Sequence, residues 1–212
     1  MYPEDLYSPM TFIDTIRYED GAFVDLSRHL ARIQATALAH GGQLDIGAVE
    51  RRLYYSAPMS QGLYRVTLYY NPLEILEVRS ILYQRREIQR LYLYELPEDF
   101  SYSYKYADRS FFLHARAELS PEEDLLFVRS DGSLTETTYT NVLLELPNGT
   151  LITPSRPLLR GTQLSRLLEQ GIAQEVEGLT GNDLRRSYRI HLINAMMPLG
   201  EAITLSPRQI ID

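Results

Sequence analysis

Thr135-Glu136-Thr137-Thr138-Tyr139-Thr140-Asn141 carries a single charge and lies between two hairpin signals. Upstream, Leu125–Val128 and Leu134–Thr135 flank Asp131-Gly132; downstream, Asn141–Leu146 and Thr150–Thr153 flank Asn148-Gly149. Asp-Gly and Asn-Gly pairs supply the positive φ that tight hairpin turns need, so this region is predicted to be antiparallel sheet. Glu136 then has two readings. Buried by the strands, its carboxylate needs a cationic partner; otherwise it is a solvent-facing hairpin residue.

Outward from this stretch the pattern stays mixed. Residues 154–160 form a Pro-punctuated loop into Gly161-Thr162-Gln163-Leu164, where Leu164, Leu167 and Leu168 predict a short amphipathic helix stopped by Gly171. Its start offers free backbone N–H groups and a hydroxyl, either a seat for a phosphate or an ordinary capped helix start. A strand, a helix near Thr180–Arg186 and a strand at Ile190–Asn194 follow. Upstream, a helix is expected over residues 106–118 with Phe111, Phe112 and Ala115 along it. Leu96-Pro97-Glu98-Asp99 is the best boundary, dividing the chain into subdomains 1–97 and 98–212. Before it come two short strands around Asp20-Gly21 and a helix over 26–39 with Asp25 as N-cap and Leu26, Leu30, Ile33 and Ala37 on one face. A helix over 45–54 and strands at Leu63–Tyr70, Glu74–Tyr83 and Glu87–Glu95 complete that half. Strand runs with interspersed helices predict an α+β fold in two subdomains.

Lys105 is the only lysine among 21 Lys and Arg residues. Arg stays protonated and cannot form an imine, whereas a Lys amine can lose its proton and attack a carbonyl. Tyr104 and Tyr106 flank it, and a partly dry setting lowers a Lys pKa. Either this amine serves chemistry or it is a surface residue left over in an Arg-biased chain. The absence of Cys excludes thiol catalysis and Cys-ligated metals and is compatible with a reducing cytosol. His29, His40, His114 and His191 lack ligand spacing and are read as packing or surface residues, so no metal is expected. A net charge of −7 argues against nucleic acid as a partner. Met1–Met10 has no signal-type apolar core and no run approaches a membrane span, so a soluble, cytoplasmic protein is expected.

Taken together, lone Lys105, Glu136 with Asn141, Thr153-Pro154, Leu159-Arg160-Gly161-Thr162 and His29-Leu30-Ala31-Arg32 resemble the class IV aminotransferases, the fold-type-IV pyridoxal 5'-phosphate enzymes with a D-amino-acid-aminotransferase-like fold. The resemblance runs from about Phe12 to Pro198. It is nearest to 4-amino-4-deoxychorismate lyase, because Asn194-Ala195-Met196-Met197-Pro198 is similar to the lyase's Asn-Ala-Leu-Met-Pro and Arg109 lies four after the Lys.

The resemblance implies that Lys105 holds pyridoxal 5'-phosphate as a Schiff base and shuttles protons, and that Glu136 pairs with the pyridine nitrogen. Arg32, Thr162, Gln163 and Asn194 would hold the phosphate, Gly161 and Ala195 would also bind the cofactor, and Asn141 and Arg109 would line the ring. Thr15, Arg17 and Arg65 are candidates for meeting substrate carboxylates, or plain surface strand residues. The implied function is lyase chemistry in folate biosynthesis on a small-molecule amino substrate, in a homodimer. The alternatives are a branched-chain or D-amino-acid aminotransferase, or a non-catalytic binding protein on the same scaffold. Three departures from the family pattern are visible: Leu164 where the phosphate turn usually continues with Arg, no counterpart of the usual N-terminal strand with its Asp-Arg-Gly loop, and a short loop after Tyr70.

Overall fold

The computed structural model describes residues 10–211, so the expectation for Met1–Met10 falls, apart from Met10, outside the described residues. The chain packs into two units. The first contains β1 (Phe12–Glu19), β2 (Ala22–Phe23), α1 (Leu26–Ala39), α2 (Ile46–Tyr55), β3 (Leu63–Tyr70) and β4 (Ile75–Leu82). Its sheet runs β2-β1-β3-β4, all antiparallel, with Phe12 opposite Tyr70 and Arg17 opposite Arg65. Strand alternation puts Phe12, Ile16 and Tyr18 on one face with Val66, Leu68 and Tyr70. That face forms a core with Ile33 and Ala37 of α1 and Val49 and Leu53 of α2. Fully burying each such aliphatic side chain contributes about 1.5–3 kcal/mol.

The β1–β2 turn takes positive φ at both Asp20 and Gly21, as the Asp-Gly pair predicts. Asp25 departs from expectation. It adopts the left-handed conformation and makes no side-chain cap; its carbonyl accepts from Arg28 N–H instead. At Gly42 a Cβ would lie 2.0 Å from the carbonyl oxygen of Pro72, so only glycine lets the α1–α2 connection pass the turn after β3.

The second unit contains β5 (Arg90–Glu95), α3 (Ser110–Ala115), β6 (Glu123–Val128), β7 (Leu134–Thr137), β8 (Asn141–Glu145), β9 (Leu151–Pro154), α4 (Thr162–Glu169), β10 (Ala173–Val176), α5 (Gly181–Arg186), β11 (Arg189–Ile193), β12 (Ile203–Leu205) and β13 (Ile210–Ile211). One sheet runs β13-β5-β6-β7 and the other β10-β9-β8-β11-β12. Both hairpins predicted around Glu136 are present, as β6–β7 and β8–β9. The amphipathic α4 buries Leu164 and Leu167 against Leu143, Ala173 and Ile193.

Two expectations around Lys105 are corrected. The boundary is not a single break at residues 97–98: Arg85–Ser103 belong to the second unit and Tyr104–Arg109 to the first. The cause is strand pairing. β5 pairs parallel with β6, whereas Ile13 N–H donates to the Lys105 carbonyl at 2.8 Å and Ala107 N–H to that of Thr11 at 2.9 Å. The same pairing overrides the helix expected over 106–118, which shrinks to α3 because Tyr106 bridges to Phe12 in extended form.

Candidate active site

The polar stretch around Glu136 folds into the centre of a connected cluster within the second unit. Glu136 lies on β7, whose four residues are all buried. Its Oε2 accepts from Asn141 Nδ2 at 3.2 Å and from Leu159 N–H at 2.9 Å. Asn141, the first residue of β8, also donates from Nδ2 to the Leu159 carbonyl at 2.9 Å and accepts from Gly161 N–H at 3.0 Å through Oδ1. One amide thus ties the buried carboxylate to the loop that enters α4. A Cβ at Gly161 would come within 2.5 Å of Asn141 Oδ1, so the contact requires glycine.

The N-terminus of α4 follows directly. The first N–H groups of a helix have no intrahelical acceptor, and their partial positive charge suits an anion. Thr162 and Gln163 are buried there, and Gln163 Nε2 is buried without a hydrogen-bond partner among the described residues. Leu164 explains its departure from the Arg expected in this turn: it is fully buried in the apolar cluster under α4.

Asn194 and Ala195 occupy a tight turn closed by Asn194 N–H to the Met197 carbonyl. The Asn194 side chain accepts from the N–H groups of Met196 and Met197 and donates to the Tyr139 carbonyl at 3.2 Å. It therefore anchors the Thr138–Thr140 loop that leads from Glu136 to Asn141. On the neighbouring strand β6, Asp124 is buried among Thr138 Oγ1, Leu125 N–H and Arg116. Burial pushes its carboxyl above the usual range against the hydrogen bonds from Thr138 and Leu125 and the charges of Arg86 and Arg116.

Within the first unit, Lys105 stands opposite Ile13 on β1. Tyr104 and Tyr106 pack on Phe12, with ring centroids 6.3 Å and 5.2 Å away. Alternation therefore sends the Lys105 side chain to the opposite face, the one that carries Thr15 and Arg17 of β1 and Thr67 and Arg65 of β3. Arg17 is bound by Glu19 through Nε at 3.0 Å and Nη2 at 2.8 Å, and Arg79 of β4 by Glu77 at 2.6 Å. Arg65 is exposed and has no carboxylate partner among the described residues. Arg109 is half-buried at the end of the same segment.

Arg32 lies on the helix-covered side, paired with a residue that sequence reading passed over. Asp14, wholly buried on β1, accepts from Arg32 Nε at 2.8 Å and Nη2 at 2.9 Å and meets His29 Nδ1 at 2.5 Å. Burial alone would raise this carboxyl, but the Arg32 and His29 charges and hydrogen bonds outweigh it and hold the group well below the carboxylate range. Because an ionised carboxylate only accepts, His29 must carry its proton on Nδ1. The signal was available: Asp14 is the charged member of the otherwise apolar alternation Phe12, Asp14, Ile16, Tyr18.

The sheet order, the two units and this distribution of residues can be set against known proteins. The amino-transferase class IV family model matches residues 11–202. The chain belongs to the class IV aminotransferases. A relative from Haemophilus influenzae, described only as an uncharacterized protein, is 26% identical over 185 residues, covering 86% of this chain and 96% of its own. Among solved structures, a Haemophilus somnus protein provisionally assigned as a 4-amino-4-deoxychorismate lyase is 25% identical with a TM-score of 0.77, covering 90% of this chain and 98% of its own. A Mycobacterium tuberculosis protein described as a hypothetical aminotransferase, solved in a PLP-bound form, is 20% identical with a TM-score of 0.75, covering 94% of this chain and 82% of its own. The α+β, fold-type-IV architecture expected from the motifs is therefore the architecture of this class IV chain, and the family is one of enzymes.

Among the described residues no helix is long and apolar enough to cross a membrane.

Proposed function

We propose that this protein is a pyridoxal 5'-phosphate-dependent lyase that converts 4-amino-4-deoxychorismate to 4-aminobenzoate and pyruvate. The observation that carries the cofactor is the buried Gln163 Nε2, which has no hydrogen-bond partner among the described residues and belongs to the first turn of α4, where no side chain caps the helix. A buried donor left unpaired costs about 1–3 kcal/mol, a loss that a phosphate oxygen would recover. Thr162 adds a hydroxyl at the same helix start, and Glu136 supplies a buried carboxylate suited to a protonated pyridine nitrogen. In this reading Arg32, Thr162, Gln163 and Asn194 hold the phosphate, Gly161 and Ala195 also bind the cofactor, and Asn141 and Arg109 line the ring. The class IV family and the PLP-bound Mycobacterium tuberculosis structure support the same cofactor.

Bound pyridoxal phosphate supplies a sink for the electron pair left when a proton leaves the carbon bearing the nitrogen. Lys105 Nζ would hold the cofactor through its aldehyde and, as a free amine, would take that ring proton. Loss of the proton and of the side chain as pyruvate makes the ring aromatic. Glu136 keeps the pyridine nitrogen protonated. Arg65, with Thr15 and Arg17 on the same sheet face, meets a substrate carboxylate, and the lack of a carboxylate partner on Arg65 among the described residues is what favours it over Arg17.

Lyase rather than transaminase chemistry is supported by Asn194-Ala195-Met196-Met197-Pro198, by Arg109 four residues after Lys105, and by the likeness to the Haemophilus somnus protein. Under the same reading the protein is a cytoplasmic homodimer serving folate biosynthesis.

The test is a product assay on purified protein with pyridoxal phosphate. Release of 4-aminobenzoate with pyruvate is the expected result. Amino transfer from branched-chain or D-amino acids to 2-oxoglutarate without 4-aminobenzoate would replace this reading with the aminotransferase one. A visible absorbance band on adding pyridoxal phosphate is expected to disappear in Lys105→Ala; a band unchanged by that substitution removes Lys105 from the reaction.

A further inference from the structure

We infer that Asp14 is a positioning residue for Arg32, holding its guanidinium by a two-point contact so that the arginine meets the cofactor phosphate in a fixed orientation. The inference rests on the reading of Arg32 as a phosphate ligand given above and adds a residue to it. Arg32 lies on α1 and Asp14 on β1, 18 residues apart, and the pair joins the helix to the sheet. The contacts run side-on, through Nε to Oδ2 and Nη2 to Oδ1, which sets both the position and the plane of the guanidinium. Asp14 is itself fixed. Its Oδ1 also receives His29 Nδ1 from the previous turn of α1, and Asp14 itself is wholly buried.

An isolated arginine loses side-chain entropy when it closes on an anion, about 1.5–2 kcal/mol of rotamer freedom for a long flexible side chain. Arg32 is held before any ligand arrives, and its side chain retains 18% exposure while Asp14 has none. The guanidinium has five N–H donors, of which the two contacts to Asp14 use Nε–H and one Nη2–H. Those two contacts fix the guanidinium plane and leave the Nη1 edge outside the pair with Asp14. Asp14 offsets part of the arginine's charge and gains orientation in exchange, so its effect is read in phosphate recognition rather than in ring chemistry.

The experiment compares the affinity of the full chain for pyridoxal phosphate with that for pyridoxal, which lacks the phosphate, by absorbance titration. Arg32→Gln is expected to lower the ratio of the two affinities, and Asp14→Asn to lower it roughly ten-fold with pyridoxal binding nearly unchanged, the size of one lost charged hydrogen bond. A purely structural role for Asp14 would weaken both ligands equally and leave the ratio alone. If Arg32→Gln lowers the ratio and Asp14→Asn does not, the positioning role is overturned while the phosphate reading of Arg32 stands. If Arg32→Gln leaves the ratio unchanged, that reading falls and takes the inference with it. Should Asp14→Asn fail to fold, His29→Gln, which removes one anchor of the Asp14 carboxylate and spares Arg32, decides: a lowered ratio supports the role, and an unchanged one overturns it.

Discussion

Asp14 and Asp124 are both buried aspartates on a strand, at 0% and 2% exposure, and their protonation moves in opposite directions. Burial pushes both carboxyls up, so it cannot explain the difference. Asp14 has two nitrogen-bearing side chains in direct contact, the Arg32 guanidinium through two nitrogens and His29 through one. Asp124 has a threonine hydroxyl, a backbone N–H and an arginine whose Nε stands 3.7 Å away, beyond hydrogen-bond distance. In a buried site, the number and geometry of charged donors decide whether desolvation or pairing wins. The first unit has made its buried anion part of an ionic network that fixes a cation. The second has made its own a hydrogen-bond acceptor that steadies the loop at Thr138.

The largest effect is expected from Asp14→Ala, which strands Arg32 and His29 without their anion. Urea denaturation should show a loss of about 3–5 kcal/mol, the scale for breaking a buried pair from one side. A loss below about 1 kcal/mol would mean that the network is no stronger than a surface ion pair. Gly161→Ala comes next, because its Cβ cannot coexist with Asn141 Oδ1. About 1–3 kcal/mol is expected, with weaker pyridoxal phosphate binding as the Glu136 cluster shifts. Asp124→Asn should cost less, about 1 kcal/mol at neutral pH, since an amide oxygen can still accept from Thr138 and Leu125.

Acid titration sharpens the contrast through its sign. The Asp14 carboxyl is depressed in the folded state, so its contribution is complete above the unfolded value near 3.9 and is lost as pH falls below about 4. Urea midpoints of the wild type and Asp14→Asn should therefore converge below about pH 4. The Asp124 carboxyl is raised, so the folded state takes up its proton first and is stabilised as pH falls toward about 4. The wild type should gain on Asp124→Asn over that range. Parallel curves for the two variants would break the comparison.

The smallest effect is expected at the partly buried pair of His191 Nε2 and Glu145 Oε2, 2.9 Å apart on β11 and β8. A double-mutant cycle there should give a coupling of about 0.2–1 kcal/mol.

The sequence by itself determined the order and type of the elements around Glu136. Asp131-Gly132 and Asn148-Gly149 admit little but hairpin turns, and Leu164 with Leu167 defines the buried side of α4, because backbone preference and side-chain periodicity are local properties. It also singled out Lys105, Glu136, Asn141 and the Gly161-Thr162 turn, whose chemistry is written in residue type. What only the tertiary structure decided is pairing between distant segments. Residues 104–107 form no helix because β1 offers Ile13 and Thr11 as ladder partners, a gain invisible in the local pattern. The Asn141 amide reaches Gly161, and Gln163 Nε2 is left without a partner among the described residues, through burial that no window of sequence contains. Asp14 was one polar interruption in an apolar strand until α1 laid His29 and Arg32 across it. A buried charge persists only where the fold brings its partners to it.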